Sequence, residues 1–280
     1  MSETLHDTAA TPDLSTLQAQ LQDRLRHVTA AATLVTEKIT HGGQSYIVKF
    51  RQPGQVRHVR SWLVSLGCVL LLRLWVRPAR LRAGGLAHEA QRLRQLHAAG
   101  VQVPQVVLQT ADYLVLEFCG ENLTRCLQLA SPAEKPVLLE RVFDALASFH
   151  RAGHWHGGAQ VRNLTLHDGE IYRIDFEEAA GNALPLAVMQ AYDVLLTLQS
   201  VVEFLAGMPQ AAVAQGLALL QRYFEQAPDD AVRQALCRLE RVTCWLLTFE
   251  TMLEKPAQKH RDVRRALLLA QLLRAYRVKG

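Results

Sequence analysis

Asn163 and Asp175 stand twelve residues apart, and the chain between them reads as a hairpin. Leu164–Leu166 and Ile171–Asp175 have strand composition, and Asp168-Gly169 supplies the turn. A hairpin brings its two ends together. Two side-chain oxygens then sit side by side, which suits one site for a hard cation such as magnesium. The loop before them, His154-Trp-His-Gly-Gly-Ala-Gln-Val-Arg-Asn163, is rich in histidine and glycine. Taken singly, Asn163 is a turn-capping residue and Asp175 a helix N-cap. In this order they read as a functional pair.

The flanking segments place that hairpin in an α+β chain. Ala32–Thr40 and Gln44–Phe50 have strand character around Gly42-Gly43, and that first hairpin ends near Pro53-Gly54. Gly84-Gly85 opens a helix from Leu86 to about Ala99, and Gly100 closes it. Pro104 makes Val101–Val107 a loop followed by a short strand. Tyr113–Phe118 is a buried strand by composition, broken by Gly120. A long helix fits Ala133–Arg151, and from Ala187 the pattern is helical almost to the end. Strands first and helices later give an α+β order. The expected divisions are a flexible leader with a short helix at 1–30, an N-lobe at 31–118 and a helical C-lobe at 119–280. The N-lobe would carry an apolar, arginine-rich insert at 57–84. With 280 residues, 49% of them hydrophobic, the chain can bury a real core.

The formal net charge is +5, which fits an anionic partner such as a nucleotide, a phosphorylated glycan or a membrane surface. No basic run is interleaved with aromatics, so nucleic acid is not expected. Cys68, Cys119, Cys126, Cys237 and Cys244 form no CxxC pair and read as reduced thiols, which favours the cytoplasm. Residues 1–20 are polar, so no signal peptide is expected. Trp62–Leu72 is apolar but short of the roughly 20 residues that span a bilayer. Arg57, Arg60, Arg73, Arg77, Arg80 and Arg82 surround it, so it reads either as a helix at a membrane interface or as a buried helix. Lys259–Lys279 is basic and amphipathic, and reads as a lipid-docking helix or as a domain helix with a charged outer face. His150, His154 and His167 fit no common zinc spacing.

Phosphoryl transfer needs few parts: a lysine on the phosphates, a carboxylate that positions it, oxygens for magnesium, and a group that orients the attacking hydroxyl. Lys49 lies inside the apolar strand Tyr46–Phe50, where alone it would be an edge or snorkelling residue. Glu89 lies in the first turns of the following helix, where alone it would be a solvated, dipole-favoured residue. The order of strand lysine, helix glutamate, apolar strand, histidine loop, Asn163 and Asp175 suggests one site.

On these residues the chain resembles the protein-kinase-like superfamily. Within it, the chain is similar to bacterial lipopolysaccharide core kinases, which act on Kdo or heptose, and to small KEOPS-type kinases. These families have a compact HGD-xxxx-N loop and an Ile-Asp-Phe metal motif. His156-Gly157 matches the start of the loop, Asn163 its end, and Asp175-Phe176 the metal motif. The resemblance implies a two-lobed fold, with ATP and magnesium as cofactors. Lys49 would contact the phosphates and Glu89 would partner it. Glu117–Cys119 would be the hinge that meets adenine, Asn163 and Asp175 would hold the metal, and Asp193 would brace the catalytic loop.

The departures matter. The family's catalytic aspartate is Gly158 here, and the glycine after Asp-Phe is Glu177. Gly42-Gly43 does not resemble a glycine-rich phosphate loop. His156 is a candidate substitute base, since an unperturbed histidine titrates near neutrality; the alternative is that it only braces the loop. Glu177 and Glu178 could add an oxygen or remain a solvated pair, while Gln160 and Arg162 face the same region. The stretch Ala179–Ala191 is short for the activation segment of a protein Ser/Thr kinase. The expected function is an ATP-dependent phosphotransferase acting on a glycan or glycolipid hydroxyl. It would be cytoplasmic, with peripheral contact to anionic lipid at the inner membrane face. The alternative is a pseudokinase that binds nucleotide without efficient transfer.

Overall fold

The computed structural model describes residues 15, 16, 18, 19, 21, 36–50, 85–177, 184–205, 209–247 and 261–279. The expected insert at 57–84, most of the leader, Cys68 and Glu178 lie outside them.

The first hairpin forms as expected. Strand β1 (Thr36–His41) pairs antiparallel with β2 (Gln44–Phe50), with His41 opposite Gln44 at the turn. Gly42 and Gly43 both have positive φ, 58° and 79°, the requirement of a tight two-residue hairpin turn. Helix α1 (Gly85–Ala98) follows, then β3 (Val106–Gln109) and β4 (Tyr113–Glu117). The four strands lie in the order β1-β2-β4-β3.

Alternation along β4 feeds two packing layers. Tyr113 and Val115 join Leu21, Tyr46, Val48 and Phe50 on one side of the sheet. Leu114 and Leu116 join Ala90, Leu93 and Leu96 of α1 on the other. Phe149 and Phe176, from beyond the first lobe, complete this second layer and tie the two lobes together. Glu89 is buried on the same face of α1 as Leu93 and Leu96.

The second lobe begins at β5 (Glu121–Asn122) and α2 (Leu123–Leu129). Asn122 caps α2 by accepting from the Thr124 N–H at 3.0 Å. Gly120, at φ 81°, is required there, because a Cβ would lie 2.0 Å from the Leu166 carbonyl oxygen. Helix α3 (Glu134–Arg151) leads to a single 3₁₀ turn (Val161–Asn163), then to β6 (Leu164–His167) and β7 (Glu170–Arg173). The small sheet has the order β5-β6-β7. The strand predicted to reach Asp175 stops at Arg173, so Asp175 stands in the loop beyond it.

Four helices close the lobe: α4 (Leu186–Val201), α5 (Pro209–Gln226), α6 (Asp230–Leu247) and α7 (Arg261–Lys279). Their core includes Phe143, Leu146, Val194, Leu198, Leu220 and Tyr223. Leu269, Leu272 and Leu273 of α7 belong to that core. The apolar face of the basic C-terminal helix is therefore occupied inside the lobe, as in the domain-helix reading of Lys259–Lys279. Among the described residues, no helix is long and apolar enough to cross a membrane.

Candidate active site

Strand β2 and helix α1 aim two opposite charges at each other. Lys49 Nζ lies 2.6 Å from Glu89 Oε1 and 2.8 Å from Asp175 Oδ1. Lys49 is 15% exposed at its side chain and Glu89 only 3%, so the pair is nearly dry. Burial by itself would push the Lys49 amine down, but Glu89 and Asp175 outweigh it and hold the amine above its ordinary value. Burial pushes the Glu89 carboxyl up, and Lys49 only partly offsets this. Three residues distant in sequence meet as the sequence order suggested.

Asp175 has φ 70°, a left-handed conformation uncommon outside glycine. Holding it there costs on the order of 1–3 kcal/mol, and such strain concentrates at functional sites. The base of the hairpin is closed by the Ile174 N–H donating to the Asn163 carbonyl at 3.0 Å. Asn163 Nδ2 donates to the Gly158 carbonyl at 2.8 Å, which leaves Oδ1 as the atom for a cation. The donor set of Asn163 and Asp175 is hard oxygen and fits magnesium. Among the described residues, no group of three or more His, Cys, Asp or Glu could hold a metal. Two protein ligands suit an ion that takes its remaining ligands from phosphates and water.

His156 is fully buried and both ring nitrogens are engaged. Nε2–H donates to the Ile174 carbonyl at 2.9 Å, and Nδ1 accepts the Gly158 N–H at 3.0 Å. The ring lies 4.3 Å from that of Phe176. Burial pushes its pKa down to about 4, against the weaker pull of Asp193. No nitrogen is left to take a substrate proton. The expectation of a substitute base at His156 is corrected: the residue braces the loop.

This buried imidazole predicts acid lability. Its folded-state value, about 4, lies below its ordinary 6.5. The unfolded chain therefore takes up the proton first as pH falls. Stability is lost progressively from about pH 6.5 down to about pH 4, by about 3 kcal/mol from this group. Urea midpoints measured between those limits should fall steadily, and a flat profile would contradict the assignment.

Asp193 of α4 organises the loop from below. Its carboxylate accepts the His156 N–H at 2.5 Å and the Gly157 N–H at 2.7 Å. His150 Nε2 lies 3.4 Å away, and His150 Nδ1 is 2.7 Å from the Tyr223 hydroxyl. Burial pushes the Asp193 carboxyl up, but His150, His156 and the backbone donor outweigh it and hold it below the ordinary value. The brace role expected for Asp193 has its geometry here.

At Gly158 a Cβ would lie 3.2 Å from Asn163 Nδ2 and 3.4 Å from His156 Nδ1. Glu177 is exposed, and its charge reaches Glu89. Gln160 is tied by its own N–H to the Gly158 carbonyl at 2.7 Å, while the Arg162 carbonyl accepts from Asn122 Nδ2 at 2.6 Å. At the hinge, the Phe118 N–H donates to the Ser45 carbonyl at 3.3 Å and the Glu117 N–H to the Gln105 carbonyl at 3.0 Å. Lys38 Nζ lies 3.4 Å over the Phe118 ring. Burial, with a smaller push from Glu117, raises the Cys119 thiol to about 12, so it stays a neutral lining group.

Two contributors escaped the sequence reading. Arg92 sits three residues after Glu89 on α1, with its guanidinium 3.4 Å from the Trp155 ring and 5.3 Å from Phe176. It also donates to the Trp155 carbonyl. Gln190 donates to the carbonyls of His150 and His154 at 2.8 and 2.9 Å. The i, i+3 spacing of Glu89 and Arg92 was a visible signal, since both must share one helix face. Gln190 left no such trace.

Residues 81–190 match the RIO domain. The RIO-type serine/threonine-protein kinase Rio1 of Haloferax volcanii is 32% identical over 111 residues, 39% of this chain and 35% of that protein. The KEOPS complex subunit Bud32 of Pyrococcus abyssi is 32% identical over 100 residues, 35% of this chain and 46% of that protein. The matched region thus spans less than half the length of either curated relative. An aminoglycoside-3'-phosphotransferase of type VIII superposes with a TM-score of 0.46 and 13% identity, over 77% of this chain and 96% of that one.

Proposed function

Because the chain belongs to the protein-kinase-like superfamily, we propose that it is an ATP- and magnesium-dependent phosphotransferase acting on a glycan or glycolipid hydroxyl at the cytoplasmic membrane face. The observation that supports transfer is the triad at Lys49, whose amine touches both Glu89 and Asp175. Lys49 would hold the nucleotide phosphates, and Asn163 and Asp175 would hold magnesium. The metal, when bound, supplies charge neutralisation on the phosphates. Lys49 is kept cationic by its two carboxylates, Glu89 fixes where it points, and Asp193 holds the loop that carries Asn163. The hinge after β4 would receive the adenine.

Helix α4 begins at Leu186, soon after Asp175, which leaves a short segment for docking a peptide. The basic balance of the chain suits an anionic surface. The name of one relative, a serine/threonine-protein kinase, instead favours a protein hydroxyl, so both acceptors belong in one assay. Purified protein with magnesium and labelled ATP should phosphorylate a core glycolipid in preference to a protein acceptor. An Asp175→Ala variant should lose that transfer by roughly 10²–10³-fold. No transfer above the Asp175→Ala control, to either acceptor, would sink the proposal.

A second reading is favoured by one specific observation. Gly158 carries no carboxylate, and His156 has no free nitrogen. A nucleotide-binding module without turnover would fit both. It requires thermal stabilisation by ATP with no labelled product.

A further inference from the structure

A cleft of about 510 Å³ lies between the loop after α1, helix α3 and strand β7, and it contains none of the Lys49 cluster. Gln102 contributes from the loop, Arg141 and Ser148 from α3, and Arg173 from β7. Arg173 is only 4% exposed. Its guanidinium lies 4.6 Å from the Phe149 ring, yet among the described residues its buried Nη2 has no hydrogen-bond partner. Among the described residues it forms no ion pair, although the charge of Asp193 reaches it. Burial lowers it to about 10, so it remains a cation at neutral pH.

A buried cation lacking a paired anion is costly, by several kcal/mol. Arg141, half-buried, adds a second guanidinium to the same cleft. Of the two carboxylates that line the cleft, Asp144 and Glu170, neither forms an ion pair with Arg141 or Arg173 among the described residues. Asp144 is gripped by Arg222 through contacts of 2.6 and 2.7 Å, and Glu170 is exposed. A planar guanidinium matches phosphate and carboxylate oxygens in a two-point fork.

We propose that this cleft binds a small oxyanion, a phosphate or carboxylate group held between Arg173 and Arg141, at a site separate from Lys49. The cleft has room for more than an inorganic ion, so the ligand class is a small phosphorylated or carboxylated metabolite.

Calorimetric titration of the full chain with orthophosphate, and separately with citrate, tests this at ionic strength fixed by chloride. At least one of the two anions should bind. Binding of phosphate alone marks a phosphoryl ligand, and of citrate alone a carboxylate ligand. Arg141→Gln should weaken binding about tenfold, the worth of one charge-assisted contact. Arg173→Gln should abolish it, and Lys49→Met should leave it unchanged. Should Arg173→Gln fail to fold, Arg141→Gln at its half-buried position still decides the question. The proposal is overturned if neither anion binds, if Arg141→Gln binds as tightly as the wild type, or if Lys49→Met loses binding.

Discussion

A Gly158→Asp variant should transfer phosphate roughly 10²–10⁴-fold faster than the wild type, the range a positioned carboxylate contributes to orienting and deprotonating a hydroxyl. The backbone accepts the change, because Gly158 is not among the glycines with positive φ. The new Cβ would stand 3.2 Å from Asn163 Nδ2 and 3.4 Å from His156 Nδ1. Both are side-chain atoms, so a shift of a few tenths of an ångström relieves the contact. The Asn163 amide, already donating to the Gly158 carbonyl, can turn its second N–H toward the carboxylate. Initial rates at saturating ATP, with intact folding checked by thermal melting, measure the effect. No gain in the variant would mean that another group already orients the hydroxyl. A gain from an undetectable baseline would mark the wild type as a nucleotide-binding module.

Asp193→Ala should destabilise the protein by about 3–5 kcal/mol, the cost of breaking one side of a buried charged network. Total stability is typically about 5–15 kcal/mol, so this is a large fraction of it. Asp193 is completely buried and accepts two backbone N–H groups of the loop. Truncation leaves those donors unpaired and removes the acceptor 3.4 Å from His150 Nε2. Urea unfolding of the variant should show a large fall in midpoint. Asp193→Asn, which keeps one acceptor oxygen, should lose less. Equal stability of Asp193→Ala and the wild type would refute the brace.

The fold and the charged triad were legible because their signals are local or ordered along the chain. Strand composition marked β2 and β4, and glycines marked the turns and the ends of α1. The sequence order of Lys49, Glu89, Asn163 and Asp175 then suggested one site. What stayed hidden depends on distant partners. A histidine sequence motif cannot reveal that one nitrogen of His156 is bonded to Gly158 in its own loop and the other to the Ile174 carbonyl beyond β7. The amphipathic pattern of α7 is the same whether its apolar face meets lipid or Leu220 and Tyr223. No local feature announces Arg173 either, because its burial against Phe149 depends on another element.

Arg92 crosses from α1 to the backbone and ring of Trp155, while Phe176 is embedded among Leu93, Leu96 and Leu114. Together these contacts fasten the two lobes at one point. Parting the lobes there would expose Phe176 and break the Arg92 contacts to Trp155. The fold therefore anchors Glu89, one turn before Arg92 on α1, to the loop that carries His156.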